Sequence, residues 1–432
     1  MSTRSRVALV LLLSTFDVDA AELSPELRLP PMGAEQLDIT RRVEAQRSAT
    51  VRSRPRPELD PLGIRMGSFK LLTELALPIG YTDNLFASES GEQSDFKYGV
   101  EPRIELRSEW SRHAFRVGVD STHMRHRDFS KEDYDDWQIF SDGRLDVGAE
   151  ASLFGRVSVS QRQEDRGAAN SFSAGETADY QVYELSGGWS QPFGRFEVRL
   201  NGGVSDYQFE SIDAMEALPI AVDDRDRVVT RGEARLSYQV QPEYRVFLRS
   251  AYNHQKYDHA PENGISRDSS GVEYSLGADL ELTELIFGDA YVGYYRQRYD
   301  ASNFDDRDGL GLGANLYWNP TTLTTVHLAV GRSVQESILP GAAGYLSTDT
   351  ALELQHELLR NLTLLAGARL VVRDYSGIER EETLRQYHLA ASYMANRNLS
   401  VRWRVAYRDQ EGDGGGRQFT QTLVEQHIVL QF

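Results

Sequence analysis

The sequence predicts an all-β fold: a transmembrane, antiparallel, up-and-down β-barrel of about 18 strands, with a flexible N-terminal segment ahead of it. Three observations lead there. Residues 419–432 alternate apolar and polar side chains with the period of a strand, Thr422, Val424, Ile428, Leu430 and Phe432 on one face and Leu423, Glu425, His427, Val429 and Gln431 on the other. A terminal strand leaves a free edge that must pair with a strand already made, and in a closed barrel that partner is the first strand. Next, no segment of the mature chain holds eighteen consecutive apolar residues, so helices are not what would cross a bilayer. Last, the same period of two recurs from Phe69 to the C-terminus, in stretches joined alternately by tight turns and long polar loops. A soluble β-sandwich ending in a buried edge strand is the competing fold.

Composition agrees. Mean hydropathy is −0.48, as expected when half of every strand is polar. Tyr 21, Phe 17 and Gly 35 suit aromatic girdles and closely packed strands. The chain has no cysteine, which removes disulfides and thiolate metal sites and suits an oxidising compartment. A formal net charge of −18 argues against nucleic acid as a partner. No cofactor is expected.

In chain order, residues 1–20 read as a signal peptide: Arg4 and Arg6 ahead of a short apolar run, then a small-residue cleavage site before Ala21. Residues 21–68 are rich in Pro and charge and predict a flexible periplasmic segment. Residues 69–432 are then the barrel. Within 54–69 the chain reads Arg-Pro-Arg-Pro-Glu-Leu-Asp-Pro-Leu-Gly-Ile-Arg-Met-Gly-Ser-Phe, and a Tyr-Thr-Asp-Asn-Leu-Phe run closes the next strand. Pro61 and Gly63 make a turn, and Asp83 or Asn84 can end the strand in an Asx-turn.

This run resembles the leading segment of the putative β-barrel porin 2 family, through Asp60, Pro61, Gly63, Arg65, Gly67 and Phe69 and through Tyr81, Asp83, Asn84 and Phe86. The resemblance implies a barrel in the outer membrane of a Gram-negative bacterium, often associated with exopolysaccharide export. Its expected partners are outer-membrane lipid and lipopolysaccharide, the barrel assembly machinery, and periplasmic polysaccharide export components. Ile428, Leu430 and the terminal Phe432 likewise resemble the C-terminal signal of bacterial outer-membrane barrels.

Two faces recur in each strand. Val228, Thr230, Gly232, Ala234, Leu236, Tyr238 and Val240 predict a lipid face, opposite Arg231, Glu233, Arg235, Ser237 and Gln239. Short turns fall at 109–112, 150–153, 191–194, 241–244, 284–288, 319–321, 360–361 and 396–398. Long loops fall near 83–96, 128–135, 165–178, 207–227, 257–269, 300–308, 335–347, 375–382 and 409–418. In such barrels the turns are periplasmic and the loops extracellular.

The expected lumen mixes signs: Arg103, Arg116, Arg144, Arg199, Arg235, Arg249, Arg402 and Arg404 with Glu233, Glu273, Asp279 and Glu425, and with Phe140, Phe247 and Tyr317 among its aromatics. These groups serve either as a structural ladder of cross-strand pairs or as the lining of a passage. A conduit for exopolysaccharide, a general diffusion porin, and a structural or adhesive barrel are the functions this leaves. Enzymatic and metal readings rest on less. His123 and His126 lie near Asp133, Asp135 and Asp136, and carboxylates cluster at residues 223–226 and 305–308, yet no spacing ties either group to a reaction or an ion, and no catalytic, cofactor or metal site is assigned.

Overall fold

The computed structural model describes residues 50–148, 150–169, 177–211, 223–260, 265–283, 285–337, 339 and 341–432. The expected signal peptide and residues 21–49 lie outside them. Among the described residues a short strand, β1 (Ile64–Met66), precedes eighteen long ones. The first half of the wall is β2 (Phe69–Thr82), β3 (Asp95–Ser108), β4 (Ala114–His126), β5 (Tyr134–Val147), β6 (Ala151–Gln163), β7 (Asp179–Phe193), β8 (Phe196–Phe209), β9 (Arg227–Gln241) and β10 (Tyr244–Tyr257). The second half is β11 (Ser269–Thr283), β12 (Ile286–Tyr299), β13 (Arg307–Thr321), β14 (Thr324–Glu336), β15 (Gly344–Leu359), β16 (Leu362–Ser376), β17 (Glu381–Asn396), β18 (Leu399–Gly412) and β19 (Phe419–Gln431).

Each long strand pairs antiparallel with its neighbours in sequence, and β19 pairs with β2 from Leu423 opposite Thr82 to Gln431 opposite Glu74. The sheet therefore closes and no long edge is left to aggregate. The seam begins a few residues along β2, because β1 and the turn at Gly67 occupy the foot of β2 from Phe69 to Leu71. Gly67 has φ +66°, a left-handed conformation that glycine adopts without a Cβ clash.

The period of two is obeyed throughout. Leu248 on β10 is 59 % exposed on the outer surface, while its neighbour Phe247 is buried inside. Apolar residues are outside because hydrocarbon is the solvent there; polar residues are inside because the lumen is wet. The connections alternate between short turns at one end and longer loops at the other, where the sequence pattern puts them. Asn396 shows how a turn is held, its Oδ1 accepting the N–H groups of Asn398 (2.8 Å) and Leu399 (3.1 Å).

Residues 50–68 depart from the flexible segment expected for 21–68, and they belong to the folded unit. Proline and charge deny them a core of their own, but their arginines find carboxylates on the barrel. Arg56 lies 3.2 Å and Arg54 3.6 Å from Glu357 of β15, and β1 hydrogen-bonds β2 in register from Ile64 opposite Leu71.

Candidate functional site

The interior is built from the inward half of each strand, and most of its charges meet across strands. On β3–β6, Arg103 is 3.0 Å from Asp120, Arg116 donates to Asp142 at 2.7 Å, and Arg144 meets Asp146 at 2.9 Å. On β8–β11, Arg199 meets Glu197 at 2.8 Å and Arg235 reaches over β10 to Asp279 at 2.5 Å. Arg249 bridges Glu233 (2.6 Å) and Glu273 (2.9 Å). Beside the seam, Arg402 is 3.3 Å from Glu74, and Glu425 lies between Lys97 (2.8 Å) and Arg404 (3.7 Å). Removing one member of such a pair strands the other in the wall, so single deletions are costly even where the pair itself adds little net stability.

The inward aromatics lie against the wall. Phe140 sits between the guanidinium groups of Arg116 and Arg156, 5.1 and 4.8 Å from its centroid, and Arg235 covers Phe247 at 3.6 Å. Each ring faces a glycine directly across from it on the next strand, Gly118 for Phe140 and Gly277 for Phe247. A Cβ at those glycines would stand 2.5 and 2.2 Å from ring carbons. Without it, the rings lie against the backbone of the neighbouring strand. Tyr317 stacks between Phe287 (5.0 Å) and His327 (4.2 Å), one row of three rings across β12–β14.

The loop end is bridged. Residues 164–169 leave β6 and cross to the opposite wall, where Ala169 packs with Ala342, Tyr345 and Tyr375 of the β14–β15 loop, β15 and β16. Arginines tie the crossing on every side. Arg166 pairs with Glu132, Arg225 with Glu164 at 2.8 Å, and Arg408 of β18 with Asp165 at 3.3 Å. Arg417 donates to the Ala168 carbonyl at 3.3 Å, and burial pushes its guanidinium below the ordinary range against the pull of Glu382 and Asp165. A second chord runs from Arg267, beyond β10, to the Ser337 carbonyl beyond β14 at 2.9 Å.

The turn end carries a smaller obstruction. Val51 is 0 % exposed, and its N–H donates to Thr325 Oγ1 of β14 at 2.9 Å. Behind it, Arg56 donates to the Val51 carbonyl, Arg360 binds Glu58 at 2.6 Å, and Arg397 donates to the Pro57 carbonyl at 2.9 Å. The hydrogen bond from Arg360 holds the Glu58 carboxyl below its usual value, whereas burial raises that of Asp60 against the N–H of Arg56.

The motif residues sit at the two ends of the seam. Asn84 is fully buried beside the loop end and donates to the carbonyls of Ser88 and Thr420, both at 2.8 Å. Asp83 accepts the N–H of Thr422 at 2.7 Å, so the pair clamps β19 as well as ending β2. Phe86 packs edge-on against Phe129, and Tyr81 lies tilted against Phe96. At the foot, Asp60 accepts the Arg56 N–H, Gly63 has φ +66°, Pro61 precedes it, Arg65 reaches Glu109 at 2.9 Å, and Phe69 meets Trp110 edge-on. Phe432 trades backbone hydrogen bonds with Thr73, and Ile428 and Leu430 point outward above it.

His123 and Asp135 meet at 2.7 Å on the outer surface, and Arg125 takes the same carboxylate at 2.9 Å. His126 is buried, its N–H donating to Asp133. In the two acidic loops, Asp224 pairs with Arg267 at 3.1 Å and Asp306 with Arg296 at 2.9 Å. The residues that sequence reasoning missed are those of the two mouths: Val51, Thr325, Arg166, Arg225, Arg267 and Arg417. Their only signal is a small-residue run, Gly167-Ala168-Ala169, inside an otherwise polar loop.

Among solved structures, OccK2 (OpdF) from Pseudomonas aeruginosa is similar with a TM-score of 0.44 at 12 % identity, over 84 % of this chain and 97 % of that one. A BenF-like porin from Pseudomonas fluorescens and OpdK from Pseudomonas aeruginosa each give a TM-score of 0.46 at 11 % identity, over 84 % of this chain and 99 % of theirs. Comparison with curated proteins finds no match. The family model of putative β-barrel porin 2 matches residues 56–432, from the arginine that docks on Glu357 to the terminal phenylalanine. The chain belongs to the putative β-barrel porin 2 family.

Proposed function

We propose that this barrel is a gated conduit for a polar, hydrated substrate across the outer membrane, and that the substrate is an exopolysaccharide on its way out. The crossing of residues 164–169 carries the reading. A diffusion porin works by standing open, whereas here a loop seated by Arg166, Arg408 and Arg417 on three sides bridges the loop end. Such a lid suits a channel that opens only to a substrate in transit. The charged wall supports a hydrated cargo, since it offers hydrogen bonds at every level while its cross-strand pairs leave few charges strong enough to trap what passes. The family's association supports exopolysaccharide. With turns oriented to the periplasm, the Val51 end faces the side from which such a polymer would enter. Arg103 and Asp120, each about one-third exposed in the lumen, favour the second reading, a porin for small polar solutes.

The test compares three strains: wild type, a gene deletion, and a variant in which residues 165–177 are replaced by a short Gly-Ser link. The conduit predicts loss of surface polysaccharide in the deletion with normal uptake of small solutes, and single-channel conductance that is low in the wild-type barrel and rises several-fold in the loop variant. Normal polysaccharide in the deletion, together with slower small-solute uptake, would replace the conduit by the porin.

A further inference from the structure

We infer that the inner face of β12–β14 is a binding track for a neutral saccharide chain, with Tyr295 as its central stacking ring; this rests on the conduit reading. The wall's chemistry is uneven. On β3–β5, β8–β11 and β18–β19 the inward positions carry the ion pairs described above, and Arg369 of β16 meets Asp349 of β15 at 2.6 Å. On β12 the inward residues are instead Phe287, Asp289, Tyr291, Gly293, Tyr295, Gln297 and Tyr299, so an aromatic ring recurs every fourth residue, about 13 Å apart along the strand. The next two strands supply almost no charge to that face: from Gly309 to Asn319 and from Thr325 to Gln335 the inward side chains are glycine, amide, hydroxyl, Ala329, Tyr317 and His327.

Glycine shapes the track by letting rings lie down. Tyr295 is directly opposite Gly309 and Tyr291 opposite Gly313, and a Cβ on Gly309 would touch the Tyr295 ring at 3.4–3.6 Å. A ring lying over a glycine turns its π face to the lumen. That face is electron-rich, and it attracts the positive C–H edge of a partner. A pyranose offers just such a combination, a face of C–H groups bordered by hydroxyls. Hydrogen-bonding groups flank the track on the next strands: Asn315, whose Oδ1 meets His327 Nε2 at 2.6 Å, and Ser333, whose hydroxyl accepts from Gln335 at 2.8 Å. Arg249 covers Tyr291 at 4.9 Å, whereas Tyr295 keeps a partly exposed ring. Beyond Gly313, Gly331 faces open space, with no atom within 4 Å of an added Cβ. With the charges of the other sectors already paired, an uncharged polymer has its broadest aromatic contact here, beside the Glu273 carboxyl that lies over Gly311.

The experiment uses the full chain in detergent micelles, with cellohexaose as the neutral probe and titration calorimetry as the readout. Wild type should bind the probe, Tyr295→Ala should weaken it tenfold or more, and Tyr295→Trp should restore it. Gly331→Phe, which fills the groove without striking the wall, should abolish binding. Tyr294→Ala, one residue away on the outer face, should leave the affinity within twofold. No binding by wild type, or equal loss in Tyr294→Ala and Tyr295→Ala, would overturn the track. In cells, Tyr295→Ala and Gly331→Phe should lower surface polysaccharide several-fold at wild-type levels of folded barrel. If the deletion lacks polysaccharide but Gly331→Phe exports normally, the conduit survives and the track falls; normal polysaccharide in the deletion sinks the conduit itself.

Discussion

At the scale of the residue, what decides the cost of a substitution is which face of the strand it enters. Leu248 and Ala251 share β10 and differ in parity. An arginine replacing Leu248 would enter hydrocarbon, at a cost on the order of 2–4 kcal/mol near the membrane midplane. One replacing Ala251 would arrive between Glu233 and Glu273, which sit opposite it on β9 and β11. Unfolding titrations in lipid should therefore show Leu248→Arg losing about 2–4 kcal/mol and Ala251→Arg less than about 1 kcal/mol; the reverse order would mean the faces are assigned backwards. Parity was legible in the sequence because a period of two is a local property. Partnership was not. Arg235 binds Asp279, 44 residues on and two strands away, and nothing near either residue announces the other. Crowding was equally hidden: Ser237 is inward but 4 % exposed beneath Arg235, so it offers no roomy lumenal site for a new charge.

At the scale of the element, hairpins were readable and their loops were not. Turns declare themselves through residues with a special backbone role, as in the Asn396 cap or Gly194 at φ +63°. A long polar loop has the same composition whether it waves in water or folds over the lumen. That is why the crossing at 164–169 and the docking of residues 50–60 were missing from the sequence pattern: both depend on arginines finding carboxylates on distant strands. The orientation of the hairpins is open to a direct measurement, because the chain has no cysteine of its own. Asp305 and Glu92 are exposed at the loop end, Arg195 and Leu323 at the turn end. With turns in the periplasm, Asp305→Cys and Glu92→Cys should react with an impermeant maleimide on intact cells, and Arg195→Cys and Leu323→Cys only after permeabilisation. The opposite labelling would invert the barrel and set the Val51 mouth outside.

At the scale of the whole molecule, the barrel is a chain of local hairpins plus one long-range seam. Asn84 and Asp83 fasten the seam at the loop end, and Phe432 and Thr73 at the turn end. Phe432→Asp should therefore leave the wall's hairpins intact in principle but prevent the heat-modifiable, protease-resistant form from accumulating, and Asn84→Ala should lower its yield by leaving the Ser88 and Thr420 carbonyls unpaired. Wild-type amounts of that form in both variants would show that the seam does not depend on these residues. The seam also has a consequence in time. Hairpin contacts close loops of a dozen or so residues, whereas Asn84 and Thr420 are 336 apart in the chain. Loop-closure entropy grows with the logarithm of length, which adds about 3 kcal/mol for the seam over a hairpin. An open, fully zipped sheet is therefore the species that should accumulate before the barrier, and the residues that set the folding rate are those of β2, β19 and the Asp83-Asn84 clamp, however stable the remaining sixteen strands become.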